Sequence, residues 1–568
     1  MTLQYRVRTA FKGYGMKRVL LFLSLAISEA AVSADHMQHV PTTVADWAHG
    51  ALAYDGLGDS HRTITTSSPQ AQKYFDQGLR FLWAFNHDES TRSFAEAARI
   101  DPHCASCYWG VSLSVGPNYN LPFMVNERAK VAVEALRKAQ ENAAGATPVE
   151  RALINALAQR YPSAQPLDPA TIRPVLVSYA TAMQGVAKQY PQDLDVQTLY
   201  AESLMNINAW KLWDAAGKPG PDTPQIVATL ESVLAHDPQH AGANHYYVHA
   251  IEASPHPEKA TQSAERLKSA MPSAGHLVHM PSHIFQRIGR YEDAAEANRK
   301  AATADDAYIA RAVPPDYYPM YTVHNYQFLA YSAAMEGRRA ETVAAADRSR
   351  ELISDEMLIS MPGVDWYVAE LYAARVRFGL WDELLAMPAP NPKLPGLRAG
   401  YRYGRGVALA AKGRIDDARD ALRELQKLAA AIPTDTPAGQ NTLKSVLDVA
   451  IPVVEAQIAI TQQHPRQAID WLEKASRAED QISYDEPKNW FFPARHILGA
   501  QLLKMGNAAA AEQVYREDLR QNPANGWALF GLSAALKSQG RMTEAATAAQ
   551  QFETAWRHAD VKLDASAF

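Results

Sequence analysis

Two cysteines in 568 residues, Cys104 and Cys107, cannot staple a chain of this size, so its stability must come from packing. They stand in DPHCASCYWG, where Tyr108 follows the second cysteine; covalent haem attachment, which needs His there, is excluded. The pair reads as a short-loop disulfide or a spare thiol pair, with a redox or Cu(I) role as the alternative. Positive charge is not in excess: 56 Lys and Arg against 61 Asp and Glu give a net charge of −5, which argues against a nucleic-acid partner. No Ser-His-Asp arrangement, phosphate-binding loop or dinucleotide fingerprint is legible. Sustained strand alternation is missing, and no apolar run is long enough to span a bilayer. What is present is 47% hydrophobic and 21% charged residues, the balance of an ordinary folded protein, over a length beyond one compact core.

The first residues form a separate object. Lys17-Arg18 precede an apolar run from Val19 to Ile27, followed by the small-residue stretch Ala31-Val32-Ser33-Ala34. That order predicts a signal peptide over residues 1–34, with Met16 as an alternative start, and a mature chain beginning near Asp35. The expected location is the bacterial periplasm or the medium, with no stable membrane insertion after cleavage. Five basic residues and one acidic residue leave with the leader, so the mature chain is more acidic. Residues 35–64 carry no helix start and read as an extended N-terminal arm.

From there the chain repeats. Gly506 and Gly540 are 34 residues apart, as are Ala511 and Ala545, and Pro523 closes the earlier unit. Pro238 and Pro272 stand at the same interval, and further copies turn at Gly289, Gly337 and Gly413 and near His464-Pro465. Small residues let two helices approach, Gly makes the turn between them, and Pro ends the pair. GAQLLKMGNAAAAEQVYREDLRQNP closely resembles a tetratricopeptide (TPR) unit, and weaker copies follow the same ruler upstream. The fold class is therefore all-α, a TPR-type α-solenoid of roughly eight to ten antiparallel helix hairpins. Residues 65–345 form N-terminal TPR-like repeats with a His-rich groove, and residues 346–560 form C-terminal TPR repeats. Pro- and Gly-rich loops at Gly217 to Thr223, Val313 to Met320 and Met387 to Gly396 interrupt the ruler.

Two His-x-x-x-His pairs sit one repeat apart, His245/His249 in ANHYYVHAIE and His279/His283 in LVHMPSHIFQ. At about 100° per residue, 245, 249 and 252 share one helix stripe, and 276, 279 and 283 share another. Eight of the 18 histidines lie between His236 and His283, of which His236, His240 and His256 fall at helix ends or loops. Facing imidazole stripes on neighbouring hairpins can converge on one ion. The predicted metal ligands are His245, His249, His276, His279, His283 and His324. The implied cofactor is a divalent transition metal, Zn or Cu, since imidazole suits these better than Mg or Ca. Glu252 and Glu202 are the candidate catalytic acids, able to act as general base to a metal-bound water. Pro281 should kink the helix that carries His279 and His283.

The resemblance implies that TPR positions 2, 5, 9, 12 and 13 line a concave groove. With Pro238 and Pro272 at position 32, His245 and His279 take position 5, His249 and His283 position 9, and Glu252 and Gln286 position 12. His276 and His324 take position 2 of their units, and Pro191 places Glu202 at position 9. TPR membership also implies a peptide or protein ligand in the groove. Peptide-clamping members present Lys, Arg and Asn there, whereas this chain presents His and acids. Three functions follow: a metal-dependent oxidoreductase or hydrolase, a metal-free interaction scaffold, or metal storage or delivery without turnover. His87 reads as a turn residue, the Tyr- and Pro-rich stretch before His324 as a lid or a plain loop, and YDEPKNWFFPARH as a packed aromatic repeat surface.

Overall fold

The computed structural model describes residues 40–567 apart from 125, 164–166, 168–170 and 313–317. The predicted leader, the first five arm residues and most of the stretch before Pro319 lie outside the described residues. Helix follows helix from Pro69–Trp83 to Met542–Ala555, and most pack chiefly on the helices next in sequence. Among the described residues the regular strands are one two-residue pair, Pro437–Ala438 with Asn441–Thr442. The protein is an all-α solenoid of TPR-like hairpins.

The repeat signals act where the sequence puts them. Gly506 (φ +77°) joins the helices Ala494–Lys504 and Ala508–Gln521, and Gly540 (φ +75°) joins Gly526–Ser538 and Met542–Ala555. A left-handed residue at each matching turn reverses the chain with no Cβ to clash. Ala511 and Ala545 are buried behind those turns. Asn507 and Asn525 cap the following helices by accepting from the Ala510 and Ala528 amides.

The apolar interior forms two clusters. The first runs from Val44 to Ala294 and the second from Tyr291 to Ala548, so the Tyr291–Ile309 helix serves both. Ala345 and Ala346 sit inside the Arg339–Glu351 helix, within the second cluster. The superhelix is tight enough for its end to touch its middle. Trp527 donates to the Ala334 carbonyl at 2.8 Å, and the Asp560 carboxylate accepts from the amides of Arg339 and Ala340. This return carries residues 484–492 over the middle hairpins, where the histidines are.

The arm differs from the expected extended strap. It opens with a one-turn helix, Val44–Ala48, capped by the Thr43 hydroxyl and anchored by the buried Trp47. Beyond it the backbone is irregular and held by side chains of the solenoid. The Gln77 amide brackets Leu52 and Tyr54, and Arg62 pairs with Asp193 and Asp195 at 2.8 and 3.0 Å. The Ser273 amide donates to the Gly56 carbonyl, tying the arm to the turn before His276.

Candidate metal centre

Four helices and one return segment build the site. His245 and His249 ride on Ala241–Ile251, and His276 and His279 on Gly275–His279. At Met280 the backbone stays helical and runs on into Pro281–Arg287 with His283, while the hydrogen-bond ladder lapses at Pro281, which has no amide to donate. His324 comes from Pro319–Met335. Gly242 lets the first of these helices lie against Trp83: a Cβ there would stand 2.6 Å from the indole ring.

The six predicted ligands come together in one cluster. His245, His249 and His276 each offer a donor atom within 4.8 Å of the others, and so do His279, His283 and His324. His249, Glu252 and His283 form a third such group that links the two trios. The first five histidines are buried and His324 is partly exposed at the rim. Phe85 stacks on His249 and His276, and Phe328 packs on His279, His283 and His324.

Ring nitrogens divide into tied and open. Nδ1 of His245 meets the Trp83 carbonyl at 2.6 Å, that of His249 meets Glu252 at 2.9 Å, and that of His279 meets Asn298 at 2.6 Å. Nδ1 of His283 lies 2.7 Å from Glu252 and 3.1 Å from Glu486. Donating Nδ1–H to an oxygen fixes the ring and turns Nε2 into a lone-pair donor, the arrangement typical of metal-bound histidine. Nε2 of His245, Nε2 of His249 and both nitrogens of His276 are buried without a hydrogen-bond partner. Burying a polar atom unpaired costs about 1–3 kcal/mol, so four in one place call for an occupant.

His279 and His283 face each other through their Nε2 atoms at 2.6 Å. Two nitrogens at about 2.0–2.1 Å from one tetrahedral ion stand about 3.4 Å apart, so this pair would open by under about 1 Å to share one. Burial lowers His245 and His324 to about 3, and burial with the neighbouring imidazoles drives His249, His276 and His279 well below their ordinary value. Neutral imidazole is the form that ligates metal. Burial opposes charge on His283 too, but Glu486 and Glu252 outweigh it and hold this ring up to about 10. Glu252 is pushed well up, first by burial and then by Glu486. The five histidines held neutral fit a transition metal, and His283, held protonated by the two carboxylates, would have to shed its Nε2 proton to join them.

Of the two acids named from the sequence, Glu252 gives one oxygen to His249 and the other to His283, which fixes both rings. Glu202 belongs to none of the three groups: it accepts from Asn206 at 2.5 Å and answers the Arg160 charge. The acids that border the cavity beside the histidines are Asp485 and Glu486, from the segment read as a packed aromatic surface. His87 stands at the hairpin turn as the first residue of His87–Ile100, but it is buried there with both ring nitrogens unpartnered. Of the readings left open for the two cysteines, the structure has the short-loop disulfide, Cys104–Cys107.

The cluster opens on a cavity walled by Trp210, Tyr321, Tyr367 and Tyr484 together with His249, His276, His283 and His324. Trp210 and Tyr119 shield His249 at ring distances of 5.6 and 5.2 Å. The predicted open groove is thus closed over at the histidines by Trp210 and the 484–492 return.

No family model matches the chain, and no curated protein matches it. Among solved structures it is similar to the human IFIT1 dimer with m7Gppp-AAAA, at 10% identity and a TM-score of 0.31, over 80% of this chain and 90% of that one. The hetero-tetramer of APC/C subunits Cut9 and Hcn1 gives 12% identity and a TM-score of 0.28, over 88% and 76%. Yeast Tom70 gives 11% and 0.27, over 86% and 93%. Likeness this low says nothing of ligands, and the site rests on its own geometry. By architecture the chain is a TPR-like helical solenoid with a histidine cluster buried at its centre.

Proposed function

We propose that this protein is an exported metal-dependent enzyme, holding Zn or Cu among His245, His249, His276, His279, His283 and His324 and acting on a small molecule in the adjoining cavity. The observation that carries the reading is the set of open nitrogens: Nε2 of His245 and His249 and both nitrogens of His276, buried beside rings whose Nδ1 is tied down. Two trios joined through Glu252 favour two ions over one. A structural metal site is closed by protein ligands, whereas this cluster borders a cavity, which favours catalysis over storage. A bound divalent ion would supply Lewis acidity. The chain's own residues then divide the work. Glu252 holds His249 and His283 in register, the aromatic walls exclude bulk water, and Glu486 offers a carboxylate at the cavity edge.

Export is supported by the leader pattern and by the Cys104–Cys107 disulfide, which suits an oxidising compartment. The test is elemental analysis of untagged protein, with His249→Ala and His283→Ala beside it. Roughly one to two Zn or Cu per chain, lost in both variants with helicity intact, supports the proposal. A metal-free wild type ends it and leaves the interaction scaffold as the reading. Metal without turnover on small ester, phosphate or phenol substrates leaves a carrier.

A further inference from the structure

A second cavity lies in the C-terminal half and carries an unanswered acid. It lies between the helices Val364–Tyr367, Glu370–Arg377 and Pro395–Ala411 and the 487–492 return. Its walls are Trp366, Tyr403, Trp490 and Phe491, and Glu370 stands among them. Glu370 is 7% exposed, and neither of its oxygens has a hydrogen-bond partner. The Tyr403 hydroxyl and the Trp490 indole N–H, on the same walls, are also buried and unpartnered. No cation among the described residues acts on Glu370: burial is the sole influence on its carboxyl, which it pushes well up. Lys488, also at the cavity, reaches instead to the Gln521 carbonyl at 3.4 Å, and its charge is answered by Glu479 and Asp518.

Once it gives up its proton to solvent as a cation arrives, a carboxyl with two open oxygens, inside a cage of aromatic faces, has the chemistry of a cation receptor. Each ring face attracts a cation by about 0.5–2 kcal/mol, most strongly where water is excluded. Aromatic faces alone would hold a quaternary ammonium, but open carboxylate oxygens ask for N–H donors. We propose that this cavity binds a small organic cation bearing N–H groups, an alkylammonium or alkylguanidinium, with Glu370 as its counter-charge and Trp366, Tyr403 and Trp490 as its cage. The Tyr403 and Trp490 donors would meet an acceptor on the same ligand. The cavity shares Gln327 and Tyr367 with the one beside the histidines, so a bound cation would reach toward the cluster. The site stands whether or not the histidines hold metal.

Water is the competing occupant, since the unpartnered groups of Glu370, Tyr403 and Trp490 could hold it. Calorimetric titration of the full chain with n-butylammonium and n-butylguanidinium separates the two, with n-butanol and tetramethylammonium as controls, and is repeated on metal-stripped protein. The expected result is saturable binding of at least one N–H cation, with neither control binding comparably. Glu370→Gln should weaken that binding at least about tenfold, equivalent to 1.4 kcal/mol. Absence of binding by both N–H cations, or equal binding by Glu370→Gln, overturns the proposal. Should Glu370→Gln lose helicity, Trp490→Leu decides: it keeps the acid and removes a cage wall, and undiminished binding there also overturns it. Tetramethylammonium bound as tightly as the N–H cations overturns the N–H requirement.

Discussion

Two buried histidine environments in this chain follow opposite rules. His496, in the C-terminal repeats, is fully buried, and both of its nitrogens are answered: Nδ1 accepts from Arg377 at 3.0 Å and Nε2–H donates to Asp518 at 2.8 Å. His276, in the central cluster, is nearly as buried, and neither nitrogen is answered. The first ring is part of the architecture, because its bonds are complete without a ligand. The second costs free energy as it stands, and only an added group would recover it. Burial alone separates nothing here; the state of the second nitrogen does.

The widest split between the two should come from alanine. His496→Ala leaves Asp518 and Arg377 without their shared partner in the interior, and unfolding should become easier by about 3–5 kcal/mol. Metal content should not change. His276→Ala removes two unsatisfied atoms beside an existing cavity, so stability should stay within about 1 kcal/mol of wild type. Its metal affinity should fall at least about a hundredfold. Denaturant unfolding and metal titration on both variants test the contrast, and a His276→Ala protein that binds metal normally would break it.

The two acids nominated by the repeat ruler sharpen it further. Glu252→Gln disturbs the acceptor shared by His249 and His283 and should weaken metal binding about 10–100-fold. Glu202→Gln, away from the cluster, should leave it unchanged. Equal losses in both would return Glu202 to the site.

Much of this was readable from residues because the signals are local. Gly and Pro at a 34-residue interval report turns within one hairpin, and helical periodicity places His245 beside His249 whatever the rest of the chain does. Adjacent hairpins then stack in a known way, which brings in His276, His279 and His283, and one repeat further His324. Glu486 was not readable, because its approach depends on superhelical pitch, the sum of small rotations over several repeats. No local pattern reports that sum, although an Asp-Glu pair inside the aromatic stretch YDEPKNWFF was a hint of a buried acid. Nor does any side chain mark the Trp83 carbonyl that fixes His245. The arm helix did leave a trace: Thr43-Val44-Ala45-Asp46 has the spacing of a capped helix start, and the Asp46 amide does donate to the Thr43 hydroxyl.

Backbone approach gives a subtler test of the same cluster. Gly242→Ala places a methyl 2.6 Å from the Trp83 ring, and the crowded helix should shift at a cost of about 1–3 kcal/mol. The same shift lengthens the bond from His245 to the Trp83 carbonyl, so metal affinity should drop with stability. Loss of stability with unchanged metal binding would show that His245 is not a ligand.

The smallest effect concerns an acid that resembles His496 in being fully answered. Glu150 accepts from the Ser106 and Thr65 hydroxyls and from the Thr65 and Thr147 amides. Burial would raise its pKa, but these bonds outweigh burial and lower it from 4.5 to about 2. A depressed carboxyl contributes stability that is complete above its unfolded pKa and lost as pH falls through the folded one. The window therefore runs from about pH 4.5 down to pH 2, and what loosens first is the arm at Thr65. With solvent screening the loss should be on the order of 1 kcal/mol. Arm proteolysis followed against pH should show it, while Glu150→Gln should show a loosened arm already at neutral pH and a flatter profile across that window. An arm that stays equally protected in both proteins would mean that the Arg62 pair with Asp193 and Asp195, not Glu150, is what holds it.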